Sequence, residues 1–205
     1  MKSAPWLFLS LFFAAAVLPT GTAAQEMQST SLIARPSPVF QMSSTDLEGK
    51  TLDLGVSAGY WFGGNVVIQG FDVEKDGAFL LRIFADSYLM PKFAFGGYFN
   101  FSPYSQDGID ITMFEFGAGI KPRFFLAPDV AIKPGLNIGY RFTTSDIEAA
   151  EISALGINVS VEVQKALPGV LLFGEFGFLS QPSGGNADIE VTFAPIFYFT
   201  AGVGI

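Results

Sequence analysis

Hydrophobic and polar residues alternate along most of the chain beyond residue 50, a pattern that is typical of β-strands with two unlike faces. In residues 93–101, phenylalanine takes four of the five positions on one face, whereas the other face carries Ala94, Gly96, Tyr98 and Asn100. Residues 130–142, 152–164 and 189–205 repeat this alternation. Weaker alternation in residues 51–62, 78–88, 110–121 and 170–179 completes a set of eight predicted strands.

The segments between the predicted strands alternate in length. Short turns are predicted at residues 89–92, 126–129 and 166–169. Longer loops are predicted at about residues 63–77, 102–109, 143–150 and 180–187. An up-and-down antiparallel barrel has this arrangement, because one of its rims carries tight turns and the other carries longer loops.

The composition of the two faces indicates which one points outward. An eight-stranded barrel has an interior just wide enough for side chains, so phenylalanine on strand after strand would overfill it. Small and polar residues fit there, together with a few long charged side chains. We therefore predict an all-β fold: a closed antiparallel up-and-down transmembrane β-barrel of eight strands over residues 51–205, with its phenylalanine face in lipid. The alternative is a soluble periplasmic barrel that turns the apolar face inward around a ligand cavity.

Aromatic residues near the strand ends support a membrane-spanning barrel, since such barrels carry an aromatic girdle at each interface. At the end with the long loops, the predicted girdle comprises Tyr60, Trp61, Phe62, Tyr104, Tyr140 and Phe142. At the end with the short turns, it comprises Tyr88, Phe124 and Phe125. Aromatic residues favour strands in any sheet, so this pattern alone leaves the soluble alternative open.

The first 50 residues differ from the rest. Lys2, the apolar stretch 6–18 and the small residues 22–24 have the order of a secretory signal peptide, which predicts cleavage after Ala24. The apolar stretch is too short for a helical membrane span, which needs about 20 residues. Residues 25–50 are predicted to form a flexible polar N-terminal segment.

The amino-acid composition excludes several kinds of active site. The chain contains no histidine and no cysteine, which excludes Ser-His-Asp and Cys-His catalysis and disfavours an ordinary zinc site. We expect no enzyme activity, no cofactor and no metal site; an enzyme built on a carboxylate pair or a serine is the remaining catalytic alternative. The net charge of −8 argues against nucleic-acid binding, which needs a basic surface.

The chain from about residue 51 to 205 resembles the small outer-membrane β-barrel proteins of the OmpA and OmpX type in Gram-negative bacteria. The shared features are the signal peptide, eight alternating segments, short turns opposite longer loops, and the aromatic-rich last strand at residues 196–205. The resemblance implies location in the outer membrane, insertion by the barrel-assembly machinery, and contact with outer-membrane lipid and lipopolysaccharide. Members commonly end on an aromatic residue, whereas Ile205 is the last residue here. The family includes adhesins, stress-related proteins and structural proteins, so the resemblance implies no single role.

The alternation places ten charged residues on the inward face. They are Asp53, Arg82, Asp86, Glu115, Lys121, Lys133, Arg141, Glu162, Glu175 and Glu190. Unpaired charges inside a narrow barrel would be very costly, so we expect them to pair with one another. The favoured interpretation is a structural charge network that closes the lumen, and the alternative is a porin-like ion pathway or solute site.

The long loops are acidic, with Asp72, Glu74, Asp76, Asp107, Asp146 and Glu148 opposed by Lys75. These charges are either ordinary solvated loop residues or an extracellular surface that takes divalent cations or a basic ligand. Because loops on a rigid scaffold commonly carry binding functions, the sequence predicts an integral outer-membrane barrel with a structural or surface-interaction role. A small-solute channel is the alternative.

Overall fold

A computed structural model describes residues 46–205 except 107, 148–150 and 182. The predicted signal peptide at 1–24 and the predicted flexible segment up to residue 45 lie outside the described residues. In the described part, all regular structure is β, and thirteen strands form one sheet. Eight of them build the barrel: β1 (Leu52–Trp61), β4 (Ala78–Met90), β5 (Phe93–Gln106), β6 (Ile109–Pro122), β8 (Val130–Ser145), β9 (Ser153–Leu167), β10 (Val170–Ser180) and β13 (Ile196–Gly204). The other five are β2 (Gly64–Ile68), β3 (Phe71–Lys75), β7 (Phe124–Ala127), β11 (Gly184–Gly185) and β12 (Glu190–Phe193).

The eight long strands close into a barrel in which every neighbouring pair is antiparallel. The ladder runs from β1 through β4, β5, β6, β8, β9 and β10 to β13. It closes where β13 pairs with β1, with Gly55 opposite Gly204 and Trp61 opposite Tyr198. Closure gives backbone groups partners on both sides, which is the condition for a sheet in hydrocarbon. The predicted all-β barrel of eight strands is confirmed.

The barrel strands contain between 9 and 16 residues. A tilted transmembrane strand needs about 9–11 residues, so β8 and β9 extend well beyond a bilayer's hydrocarbon core. Separately, no helix in the described ranges is long and apolar enough to cross a membrane.

Large apolar side chains cover the outside of the barrel wall. Phe99, Val159 and Ile138 lie near the middle of their strands, and they are 40%, 48% and 66% exposed. The alternate residues Asn100, Asn158 and Asn137 are buried inside. The outward face of the barrel is therefore the apolar one, as the strand pattern predicted.

Glycines on the inward face make room for tyrosine rings on the neighbouring strand. Gly117 pairs with Tyr98, and a Cβ atom at Gly117 would lie 2.5 Å from the Tyr98 ring. Gly177 stands in the same relation to Tyr198, at 2.2 Å. Both glycines thus serve interior packing.

At the loop end, the short strands β2, β3, β11 and β12 extend the wall. The order β3-β2-β12-β11-β9 forms a small sheet, which we call the outer sheet. Val66, Ala154, Val191 and Phe193 form its buried apolar cluster. The predicted loop 63–77 therefore contains the β2–β3 hairpin, and most of the predicted loop 102–109 is strand, because β5 runs to Gln106 and β6 begins at Ile109.

The aromatic girdle prediction was wrong for four residues. Trp61 and Tyr88 are buried in the lumen, and Tyr104 packs edge-on against Trp61. Phe125 packs against the buried cluster around Leu47 at the turn end. The reason is strand parity: a residue near a strand end still points inward if its alternate neighbours do. Tyr60, Phe62, Tyr140 and Phe124 are exposed outside, as expected for girdle residues.

Residues 46–50 lie against the turn end of the barrel. Leu47 is fully buried with Ala131, Ala166 and Leu171, and its backbone N–H donates to the carbonyl of Pro128. This end of the lumen is therefore covered by the chain that precedes β1.

Candidate functional site

The lumen brings together nine of the ten charged residues that parity placed inside. Their side chains are buried, and each takes part in an ion pair within the barrel. Glu190 is the exception, because it is exposed on β12 in the outer sheet. The prediction extended one alternation through residues 189–205, but Ala194 and Pro195 interrupt the strand. Because of this interruption, odd-numbered residues face inward in β12, whereas even-numbered residues face inward in β13. Val191 and Phe193 are therefore buried instead of Glu190 and Thr192.

Lys133 is the centre of the network in the half of the lumen nearer the turn end. Its ammonium lies 2.7 Å from Asp86, 2.8 Å from Glu162 and 3.2 Å from Asp53. Lys121 bridges the same Asp86 and Glu162 at 3.0 and 3.2 Å. Four strands, β1, β4, β6 and β9, thus converge on the lysine of β8.

Neutral polar groups complete this cluster. Tyr88 donates its hydroxyl hydrogen to Asp53 at 2.5 Å. The Gln164 amide donates to Asp53 and to Glu162, both at 2.8 Å. Hydrogen bonds to carboxylates offset part of the cost of burying them.

Arg82 and Glu175 form the ion pair in the middle of the lumen. The Arg82 guanidinium also donates to Asn100 at 2.8 Å and lies 4.8 Å from the ring centroids of both Tyr98 and Tyr198. The Arg82 guanidinium is therefore in contact with two aromatic rings, an arrangement that suits its planar shape.

The loop-end half of the lumen holds Glu115 and Arg141. The Arg141 guanidinium donates to Glu115 at 2.8 Å, and the Tyr98 hydroxyl donates to the other carboxylate oxygen at 2.6 Å. Apolar side chains from Leu80, Met113 and Ile196 surround this pair. This half is therefore more apolar than the Lys133 half.

The ion pairs of the lumen balance in charge. They join five carboxylates with five cations: Asp53, Asp86, Glu115, Glu162 and Glu175 with Lys50, Arg82, Lys121, Lys133 and Arg141. Lys50 supplies the fifth cation, since it lies 2.9 Å from Asp53. A balanced network avoids the penalty of an isolated buried charge, which is several kcal/mol.

Three further cations of the lumen were not predicted from the strand pattern: Lys50, Lys75 and Arg123. Lys50 falls in the predicted polar N-terminal segment, and Lys75 falls in the predicted acidic loop 63–77. Arg123 is buried at the turn end, where it lies 3.7 Å from the Tyr88 ring centroid and donates to the carbonyl of Pro91 at 2.7 Å. The period-2 pattern contains no signal for these three residues, because none lies within a barrel strand.

Little space remains between these side chains. A cavity of about 10 Å³ lies among Trp61, Met113, Arg141 and Tyr198, which is room for about one water molecule. In residues 46–205, apart from the five positions not described, no group of three or more carboxylates is placed to hold a metal ion. The arrangement is suited to filling and fixing the interior.

A closed barrel of eight antiparallel strands, apolar outside and ionised inside, has the architecture of the small outer-membrane β-barrels. No family model matches the chain, and no curated protein matches it by sequence. Comparison with solved structures finds proteins that share its fold.

Neisserial surface protein A, NspA, superposes with a TM-score of 0.60 at 16% identity, over 75% of this chain and 96% of its own. The outer membrane protein OprG from Pseudomonas aeruginosa superposes with a TM-score of 0.51 at 10% identity, over 78% of this chain and 98% of its own. The outer membrane protease OmpT from Escherichia coli has a TM-score of 0.40 at 12% identity, over 76% of this chain and 96% of its own. NspA and OprG share the barrel fold with this chain; the similarity to OmpT carries no argument about activity.

Proposed function

We propose that this protein is an integral outer-membrane barrel with a closed lumen, and that its outer sheet carries a structural or surface-interaction role. The observation that carries the proposal is the lumen, where five carboxylates and five cations pair across the interior. A solute pathway needs continuous open space, whereas the cavity among Trp61, Arg141 and Tyr198 has a volume of about 10 Å³.

The belt of exposed apolar side chains around the barrel supports a location in the outer membrane. Phe95, Leu136, Val159 and Phe199 present exposed side chains on four different strands, which is costly in water and favourable in a bilayer. We propose outer-membrane lipid and lipopolysaccharide as the surroundings of this belt, reached after signal-peptide cleavage and with the help of the barrel-assembly machinery.

The outer sheet supports a role in surface interaction. Asp72, Glu74 and Glu190 are exposed there, and Asp188 lies beside them. In the part of the chain that the structure describes, no exposed lysine or arginine lies at this end. A positively charged ligand fits this surface, either a basic partner or divalent cations that bridge it to lipopolysaccharide phosphates.

No catalytic role is proposed. The five lumen carboxylates are held in ion pairs, and a carboxylate fixed in this way is poorly placed to exchange protons with a substrate.

Conductance in planar bilayers tests the closed lumen. We expect insertion of the protein to give no steady open-channel current, because the Arg82–Glu175 and Lys133 clusters fill the interior. A steady current, with an ion selectivity that changes in Lys133→Gln, would contradict the proposal and support the small-solute channel.

Binding of fluorescent oligolysine to proteoliposomes tests the outer sheet. We expect binding that weakens with salt and weakens several-fold in the triple variant Asp72→Asn, Glu74→Gln, Glu190→Gln. Equal binding by the triple variant would remove the role assigned to this surface.

A further inference from the structure

Lys75 occupies an aromatic site at the loop end of the lumen. Its side-chain nitrogen lies 3.8 Å from the ring centroid of Trp61 and 4.4 Å from that of Tyr104, and the side chain is buried. The two rings meet edge to face at 5.8 Å. Ser102 fixes the indole, because the Trp61 N–H donates to its hydroxyl at 2.7 Å. The site is therefore built by β1, β3 and β5.

Lys75 differs from the other buried lysines because it has no acidic partner. Lys121 and Lys133 each contact at least two carboxylates, whereas within the described residues no carboxylate lies within 4.0 Å of Lys75. Burial, with a smaller contribution from the nearby positive charge of Arg141, lowers the pKa of Lys75 well below its ordinary value.

The groups that face Lys75 from the barrel wall do not compensate for its charge. Arg141 on β8 lies 5.1 Å from the same Trp61 ring, and Glu115 on β6 is engaged by Arg141. Tyr104 on β5 offers only its ring. The rings recover part of the cost of burying an ammonium through cation–π attraction, but less than a carboxylate would.

Acidic side chains lie next to Lys75 on the outside of the loop end. Glu74 and Asp76, the neighbours of Lys75 in sequence, are exposed at the loop end. The Gln106 amide holds the backbone on both sides, donating to the Glu74 carbonyl at 3.0 Å and accepting from the Asp76 N–H at 3.3 Å. The backbone at Lys75 is therefore held in place, whereas its four-carbon side chain is flexible.

We propose that Lys75 is a pH-dependent side-chain gate: as the neutral amine it closes the loop end of the lumen against Trp61 and Tyr104, and as the ammonium it turns outward to the acidic rim. Opening exposes the small chamber lined by Trp61, Met113 and Arg141 to water. The Arg82–Glu175 pair below it stays closed, so the gate controls an outer chamber and not a pore.

The direction of the pH effect follows from linkage. The outward position has the ordinary pKa of an exposed lysine, about 10.4, and the inward position has a lowered one. As the pH falls below the ordinary value, the outward form gains stability about tenfold per pH unit until the lowered pKa is passed. Alkaline pH therefore closes the gate, and lower pH opens it.

Trp61 is a native reporter of the gate, because the chain contains two tryptophans and the other is Trp6. In a full-length Trp6→Phe protein folded in detergent, we expect the emission of Trp61 to shift to longer wavelength as the pH falls from 10.5 to 6, since the ring becomes hydrated. Above pH 6 the exposed carboxylates stay ionised.

Two variants separate the gate from other titrations. Lys75→Met keeps an apolar chain of similar length on the rings, so its emission should stay at short wavelength throughout. Lys75→Arg stays charged over this range, so its emission should not change with pH. The proposal is overturned if the parent protein shows no shift, or if Lys75→Met shows the same shift while heat-modifiable gel migration shows that the barrel is folded.

Discussion

Lys133 shows how strongly single residues determine the interior. Its ammonium contacts carboxylates from β1, β4 and β9 and is wholly buried. Such a residue contributes to specificity as well as stability, because any other arrangement of the strands would leave three carboxylates without this partner.

Replacing Lys133 by alanine should destabilise the barrel by about 3–5 kcal/mol, since it leaves buried negative charge uncompensated. Urea unfolding in detergent micelles or lipid vesicles measures the change. Lys165→Ala is the matched control, because Lys165 pairs with Asp129 at the exposed turn end and should change stability little. Equal effects of the two substitutions would contradict the buried network.

The glycine–tyrosine contacts make a second prediction at this scale. Gly117→Val should push the Tyr98 ring from its place and weaken its hydrogen bond to Glu115, at a cost of about 1–3 kcal/mol for overpacking. At the outward Gly174, the nearest atom to an added Cβ is 3.8 Å away, so Gly174→Val should be tolerated. A smaller loss of unfolding free energy in Gly117→Val than in Gly174→Val would count against this packing.

The alternation of inward and outward residues along the strands predicted most lumen residues, and its failures have physical reasons. Within the long strands, period-2 alternation alone placed Asp53, Lys133 and Glu162 correctly inside. Glu190 was misplaced because Pro195 follows two positions after β12 and the alternation restarts at Ile196. Lys75 was missed because its orientation depends on the β2–β3 hairpin, which the sequence showed only as an acidic loop.

At the scale of elements, strand limits were predicted well at the turn end and less well at the loop end. Pro103 falls in the predicted loop 102–109, yet it lies in β5 opposite Thr112 of β6. The pairing of β4 with β5 stops at Leu81 and Phe101, so Pro103 has a strand on one side only, where its missing N–H costs no ladder bond. Local composition does not contain this information, because it depends on the stagger between strands.

Arginine substitutions along the outer wall test the depth of the belt. Val159→Arg, near the middle of β9, should cost about 2–4 kcal/mol in lipid vesicles, whereas Phe124→Arg, at the turn end, should cost about 0–1 kcal/mol. Unfolding titrations in vesicles measure both. The same cost at both positions would contradict a transmembrane belt between them.

For the whole molecule, the two ends of the lumen are closed in similar ways. Arg123 covers the Tyr88 ring at the turn end, and Lys75 covers the Trp61 ring at the loop end. Between these cations the interior is balanced in charge. The guanidinium of arginine is charged at all physiological pH values, so only the lysine end has a closure that responds to pH.

Quenching by lipids with brominated acyl chains tests most directly whether the apolar face lies in lipid and the ionised face lies inside. In a protein with Trp6→Phe and Trp61→Phe, a tryptophan introduced by Val159→Trp should be strongly quenched. In a protein with Trp6→Phe alone, Trp61 should be quenched far less, because the barrel wall separates it from the lipid. Strong quenching of Trp61 together with protection of the tryptophan at position 159 would contradict the assignment of the two faces.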